Sequence, residues 1–443
     1  MAKDSSAQAA FPIQMKFSSL TRRAALPPAM LALADQLLVS GSNFLLLIYL
    51  GRHLDANDFG LFSLAMLATL FFSNLHRAVL TRPMEVLAPN ATGPQQLVHL
   101  RALLRALLLA MPLVLLALAL LSHWLFPDAR LLWACVAYVL GFGVQETLRR
   151  YAYMQGRAER AFRLDGAQHG CLWISMLALD ALIGVQAWLV FAIMAGAAML
   201  CSLPPLLRLL RQPGSAPQPT FSQLARQHWL LAKWLLLTVL AVWGAGQVYP
   251  LLIAPLGPEA VAQFAACGNI LRISGAVMLA VDNYLPARAA LVFQREGSAA
   301  LRAHLWRHLL LCGLAASLAA LLLFLLAGPV LFLAYHGSYD DSVPILRMML
   351  PGALFSFLAT LLGTYSVAMA DSRAPFLTNL AAGACTFSLG LFLIQTEGIA
   401  GAALASSLTA LTALLAQGAL VLLRLRQVRA QETLEVPASG GLA

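Results

Sequence analysis

A chain of 443 residues with 11% charged and 60% hydrophobic side chains cannot cover a water-facing surface. Soluble domains carry about a quarter charged residues. The apolar content excludes a disordered chain, and the lack of Glu and Lys runs excludes a coiled coil, which leaves a polytopic all-α membrane protein. The net charge of +10 would suggest nucleic acid in a soluble protein, but here it becomes a question of which side of a membrane the charges occupy.

Residues 1–27 are polar, with Lys3, Lys16, Arg22 and Arg23, and read as a cytoplasmic N-terminal segment without a cleaved signal peptide. Windows of roughly 20 apolar residues, the length of a span, follow near 28–50, 59–77, 102–122, 131–151, 164–183 and 186–207. Residues 208–227, with Pro213, Gly214, Pro217 and Pro219, read as a cytoplasmic linker. Six more windows lie near 229–251, 260–284, 305–333, 344–369, 374–395 and 398–423. The expected organisation is a six-helix bundle over 28–207, the linker, a second bundle over 228–423 and a cytoplasmic tail over 424–443.

Twelve spans put both termini on one side, and the basic residues test that count independently. Loops on the N-terminal side hold 25 of the 29 Lys and Arg residues. The opposite side holds Arg52, Arg130 and Arg347, and Arg272 alone falls within a span. The positive-inside rule then assigns cytoplasmic termini in the cytoplasmic membrane, with anionic lipid headgroups as partners of the basic loops. Nucleic acid is not an expected partner.

The two halves echo each other. Leu54 to Phe62 follows the first span, and Leu256 to Phe264 follows the seventh. Both are short acidic turns that enter the next helix with a Phe at the same offset. Six plus six spans in parallel orientation is a transporter plan with the substrate path between the halves.

Enzyme chemistry finds no foothold, so no catalytic residues, metal or cofactor are expected. His304 and His308 stand at i, i+4 but lack the Glu of a zinc-protease helix. Gly141-Phe142-Gly143 follows no strand, and there is no P-loop. All six cysteines fall inside apolar runs without a C-x-x-C pair, so they read as small hydrophobes.

Leu33 to Phe44, then Leu50-Gly51-Arg52-His53-Leu54 and Phe59 to Ala65, resemble the first hairpin of polysaccharide flippases. These belong to the multidrug, oligosaccharidyl-lipid and polysaccharide exporter superfamily. Gln145 to Arg150 with Gly156-Arg157 resembles that family's fourth span and its cytoplasmic exit. The resemblance implies two bundles around a central cavity that alternates between leaflets. It implies a lipid-linked, pyrophosphate-bearing glycan as cargo, and it leaves open contacts with other glycan-assembly proteins.

Such a cargo needs cationic donors for phosphate and hydroxyl or amide groups for sugar. Arg272, halfway along the eighth span, is the sharpest candidate. Burying it costs roughly 2.5–3.5 kcal/mol, which favours either ligand contact or a structural pair with Glu146 or Asp282. Asp35, Glu146 and Asp282 are the candidate coupling acids, with capping or helix-to-helix hydrogen bonding as the alternative. Gln36, Ser40 and Asn43 share a face of the first helix at i, i+4 and i+7, either to bind sugar or to join helices. Gly246 and Pro250 mark an irregular end of the seventh span, read as a gating kink. Arg77, Arg149 and Arg150 at cytoplasmic helix ends read as a pyrophosphate patch or as topology signals. The leading function is a flippase of lipid-linked glycan. The alternatives are a cation-coupled multidrug exporter of the same superfamily and a membrane glycan polymerase or ligase, which would need a larger outer loop.

Overall fold

The computed structural model describes residues 28–88, 93–125, 128–212, 221–369, 371 and 373–435. Among them the chain forms twelve helical rods. In lipid every backbone polar group must find its partner within the segment, and helices meet that demand.

Rod α1 is Pro28–His53. Rod α2 begins at Ala56–His76, passes through a π-turn at Arg77–Thr81 and ends with Arg82–Leu87. Rods α3 Gly93–Leu125, α4 Ala129–Met154, α5 Ala158–Ile183 and α6 Ala187–Leu210 complete the first six. Rod α7 runs Phe221–Val242, then through a π-turn at Trp243–Gln247 into Tyr249–Ile253. Rod α8 is Pro258–Leu271 continued over 273–296, and α9 is 298–325 followed by Ala327–Tyr335. Gly297 separates those two with φ 77°, a conformation that costs a residue with a side chain dearly. Rod α10 is Val343–Ala368. Rod α11 is Arg373–Cys385 extended through Thr386–Gly390 to 397, and Gly398 at φ 60° divides it from α12 over 399–435.

Helices outrun the apolar windows. Rod α2 reaches Leu87 where hydropathy ends near 77, and α3 begins at Gly93 where hydropathy begins near 102. Helix enters the expected linker of 208–227 from both sides, since α6 ends at Leu210 and α7 begins at Phe221, and residues 213–220 lie outside the described residues. Length and composition alone mark nine stretches among the described residues as able to cross a membrane. The last of these, 373–430, takes in α11 and most of α12, while α5 lies outside the nine and α8 enters them only from 288 on, in the stretch that continues into α9.

Packing divides the molecule along the membrane normal. Rod α4 lies against α6 in the first half, and α10 lies against α12 in the second. One large core joins the two halves at the end opposite the N-terminus, with Leu50, Phe59, Phe62, Tyr249, Val261 and Tyr335 among its members. At the N-terminal end the halves hold separate cores. One is built on Met84, Leu100 and Leu148, the other on Leu301, Leu361 and Tyr365. Lipid-facing leucines complete the picture: Leu310, Leu314, Leu318 and Leu321 on α9 are all exposed.

The two echoed turns meet in the shared core. A Cβ added to Gly60 would lie 1.9 Å from the Pro258 carbonyl oxygen, so α2 and α8 touch backbone to backbone there. Phe59 packs against Tyr339 with ring centroids 6.0 Å apart. Gly60→Ala is therefore expected to lower the thermal midpoint in detergent by the equivalent of about 1–3 kcal/mol, the usual cost of overpacking. Gly41→Ala is the control, since nothing lies within 4 Å of its added Cβ. Equal midpoints for the two variants would contradict the close seam.

Candidate functional site

Two polar regions stand out, one in each half. In the first half α4 carries Glu146, Arg149, Arg150 and Tyr153 at i, i+3, i+4 and i+7, one face of a helix. That face meets Asp35 from α1, Arg77 and Glu85 from α2, and Asp165 from α5. Asp35, Glu146 and Asp165 are buried, at 0%, 2% and 1% exposure.

Arg149 binds three carboxylates at once. Its Nη2 lies 2.9 Å from Asp35, its Nε 2.6 Å from Asp165 and its Nη1 3.4 Å from Glu146. Glu146 also takes Arg150 at 2.7 Å and Arg77 at 3.4 Å. Glu85 accepts from Arg150 and Arg82 at 3.2 Å each. The Tyr153 hydroxyl donates to Asp35, and the Gln145 amide donates to Asp165. Asp35, Glu85, Glu146 and Asp165 thus balance Arg77, Arg82, Arg149 and Arg150 in formal charge. Low dielectric makes such a network expensive to break at any one member.

This geometry revises two expectations. Arg77 and Arg149 are engaged by carboxylates rather than held as open donors for a phosphate. Glu146 is bound by three arginines of its own half, which removes it as a structural partner for Arg272. Asp165 was missed because it stands at the edge of the fifth apolar window, beside Arg163, where it reads as a loop residue. Its only sequence signal is that single acid at a window end.

In the second half a cavity of about 920 Å3 opens between α7, α8, α10, α11 and α12. Arg272 stands at the break within α8, where its N–H is shared by the Gly268 and Asn269 carbonyls at 3.1 Å each. Its side chain is exposed toward that cavity. Gln247, Ser356, Thr360, Thr378, Asn379, Thr409 and Gln417 line the same space, and no carboxylate lines it among the described residues. Among the described residues no carboxylate approaches Arg272 within 4.0 Å. The Asp282 side chain lies outside the described residues.

Several lining groups are already oriented. Thr378 donates to Gln417 at 2.7 Å, and Gln417 donates to Ser366 at 2.8 Å. Tyr249 and Thr409 share a hydrogen bond of 2.7 Å. Each hydroxyl and amide oxygen keeps a further lone pair for a ligand. Gly246 and Gln247 belong to the π-turn of α7 and face the cavity, and Tyr249, beside Pro250, lines it too. A π-turn widens a helix locally and is frequent at functional sites. The irregularity expected at Gly246 and Pro250 is therefore a π-turn plus a short restarted helix. Sequence reading missed most of the lining, because its members come from five rods.

Gln36 donates to Ser40 at 3.0 Å within α1, and Asn43 is exposed. None of these three lines the cavity of the second half. On the opposite side of the membrane Arg52 donates to the Ala334 and Leu333 carbonyls at 2.5 and 2.6 Å. Those carbonyls belong to the final turn of α9, where a cation suits the helix dipole. Together with the Gly60 contact, this ties the halves shut on that side.

No protein-family profile and no curated relative matches the chain. Solved structures do. A lipid II flippase, MurJ, in an inward closed conformation superposes with a TM-score of 0.67 at 10% identity, covering 92% of this chain and 90% of its own. An inward-facing multidrug resistance MATE family transporter of the MOP superfamily gives 0.67 at 11%, covering 91% and 99%. A Pyrococcus furiosus MOP superfamily transporter described by the reverse polarity of its binding pocket gives 0.59 at 11%, covering 91% and 94%. The chain has the fold of these membrane transporters.

Proposed function

We propose that the protein is an alternating-access transporter that moves a lipid-linked, pyrophosphate-bearing glycan across the cytoplasmic membrane, with both termini in the cytoplasm. The observation that carries this reading is Arg272, a cation open to a cavity whose polar lining is hydroxyls and amides, with no acid among the described residues. Its planar guanidinium suits a phosphate, and the surrounding oxygens suit sugar hydroxyls. The halves divide at the linker. They share a core on the outer side and hold separate cores on the inner side. That arrangement fits a state sealed toward the exterior.

The other polar groups take supporting roles. Asp35, Glu146 and Asp165 with Arg149 and Arg77 form the device that couples the first half to the transport cycle. Gly246 and Pro250 let the π-turned end of α7 move as the cavity changes side. Asp282, on the same rod as Arg272, is a further coupling acid of the cycle. Gln36 and Asn43 edge the path between the halves. Anionic headgroups hold the basic cytoplasmic loops, and assembly enzymes for the glycan deliver and receive the cargo.

Export of organic cations is the competing reading, and it would want carboxylates where Arg272 stands. Deleting the gene should make lipid-linked glycan accumulate in the inner leaflet without sensitising cells to cationic drugs. Drug hypersensitivity with unchanged glycan would overturn the reading.

A further inference from the structure

A second, smaller cavity lies at the inner-side seam between the halves. It holds about 380 Å3 between the π-turn of α2, α3 and the first turns of α7. Val79, Leu80, Leu103, Ala106, Leu224 and Trp229 make its wall, so the lining is apolar. One lining residue breaks the pattern. His228 is only 5% exposed, yet neither ring nitrogen completes a hydrogen bond of ordinary geometry. The backbone of Val79, in the π-turn, faces the ring without closing an ordinary hydrogen bond, and His99 stacks on it at 6.4 Å. A buried imidazole without a partner costs free energy, and an occupant of the groove that offers an oxygen relieves it.

The rim supplies charge. Arg105 on α3 adjoins Ala106 in sequence, and Arg226 on α7 adjoins Ala225, another lining residue. Both arginines are exposed, and among the described residues neither has a carboxylate within 4.0 Å. Rods α3 and α7 both start on the inner side, so their side chains lean back toward that surface. Arginines so placed snorkel to the headgroup level while the wall beneath them stays apolar.

We infer that this groove binds one anionic phospholipid of the inner leaflet. Its acyl chain lies along Leu103, Leu224 and Trp229, an ester or phosphate oxygen meets His228, and its headgroup sits between Arg105 and Arg226. The site is distinct from the Arg272 cavity and does not depend on the identity of the cargo. Because α7 runs from this groove to the π-turn at Gly246, a lipid here clamps the helix that lines the transport cavity.

Trp229 is half exposed and reports the groove directly. The full chain is placed in nanodiscs of phosphatidylcholine containing a minor fraction of phosphatidylglycerol, with bromine on the acyl chains of one lipid or the other. Quenching at Trp229 is the difference between the wild type and Trp229→Phe. Brominated phosphatidylglycerol should quench more than brominated phosphatidylcholine at equal mole fraction. Arg105→Gln and Arg226→Gln should each lower that preference about fivefold, the attraction of one arginine near a charged surface. Ala225→Leu, which fills the groove, should lower quenching by both lipids. Equal quenching by the two lipids in the wild type would overturn the inference. So would relief of the phosphatidylglycerol quench by added polyprenyl diphosphate, which would make the groove a cargo-tail site.

Discussion

Replacing Arg272 with alanine is expected to leave insertion and folding intact and to slow glycan-lipid transport by between about 10- and 100-fold. The estimate follows from a hydrogen bond to a charged group, worth about 1.5–3 kcal/mol, with tenfold for each 1.4 kcal/mol. Insertion should survive because Arg272 is exposed to the cavity and has no carboxylate near it among the described residues. Removing it leaves no described acid stranded, and it relieves the roughly 2.5–3.5 kcal/mol cost of an arginine at mid-span. Lysine should restore part of the rate, since it keeps the charge but lacks the paired donors. Initial transport rates from proteoliposomes matched for protein content would measure this. An alanine variant at the wild-type rate would remove Arg272 from the substrate path.

Replacing Arg149 should act on stability instead. It satisfies three carboxylates from three rods, at 2.9, 2.6 and 3.4 Å. Arg149→Met leaves Asp35 and Asp165 buried without their cation. Breaking one partner of a buried charge pair costs about 3–5 kcal/mol. Thermal unfolding in detergent should show a drop of that size. Adding Asp35→Asn and Asp165→Asn to Arg149→Met should recover most of it, because Glu146 keeps Arg150 and Arg77. Recovery separates lost charge balance from lost volume. If the triple variant is as unstable as the single one, packing rather than electrostatics is what Arg149 supplies.

The contrast between these two arginines shows what sequence can carry. Arg272 was legible because a lone cation in a 25-residue apolar window is expensive and therefore conspicuous. Arg149 read as part of a pyrophosphate patch or as a topology signal, since it stands at the end of an apolar window beside Arg150. Its partners Asp35 and Asp165 lie on other rods, and nothing local in sequence joins them. The twelve rods were legible because each must span a hydrocarbon layer of about 30 Å. Their ends were not, because hydropathy reports where lipid stops and α2 continues as helix to Leu87 beyond that point. The cavity failed for the same reason as the charge network. Gln247, Asn379 and Gln417 are separated by whole rods, and only packing gathers them.

The echoed turns were legible in sequence, but their meeting was not. Leu54 to Phe62 and Leu256 to Phe264 could be aligned by offset alone. That Gly60 presses on Pro258 is a property of the assembled halves.

Cargo choice separates a glycan-lipid transporter from an exporter of organic cations. Purified full-length protein in vesicles would be offered a short-chain polyprenyl diphosphate sugar, with a lipophilic organic cation as competitor. The cavity around Arg272 predicts that the diphosphate sugar crosses, that inorganic pyrophosphate analogues slow it and that the cation neither crosses nor competes. Transport of the cation, with the diphosphate sugar left on the side where it was added, would contradict that claim.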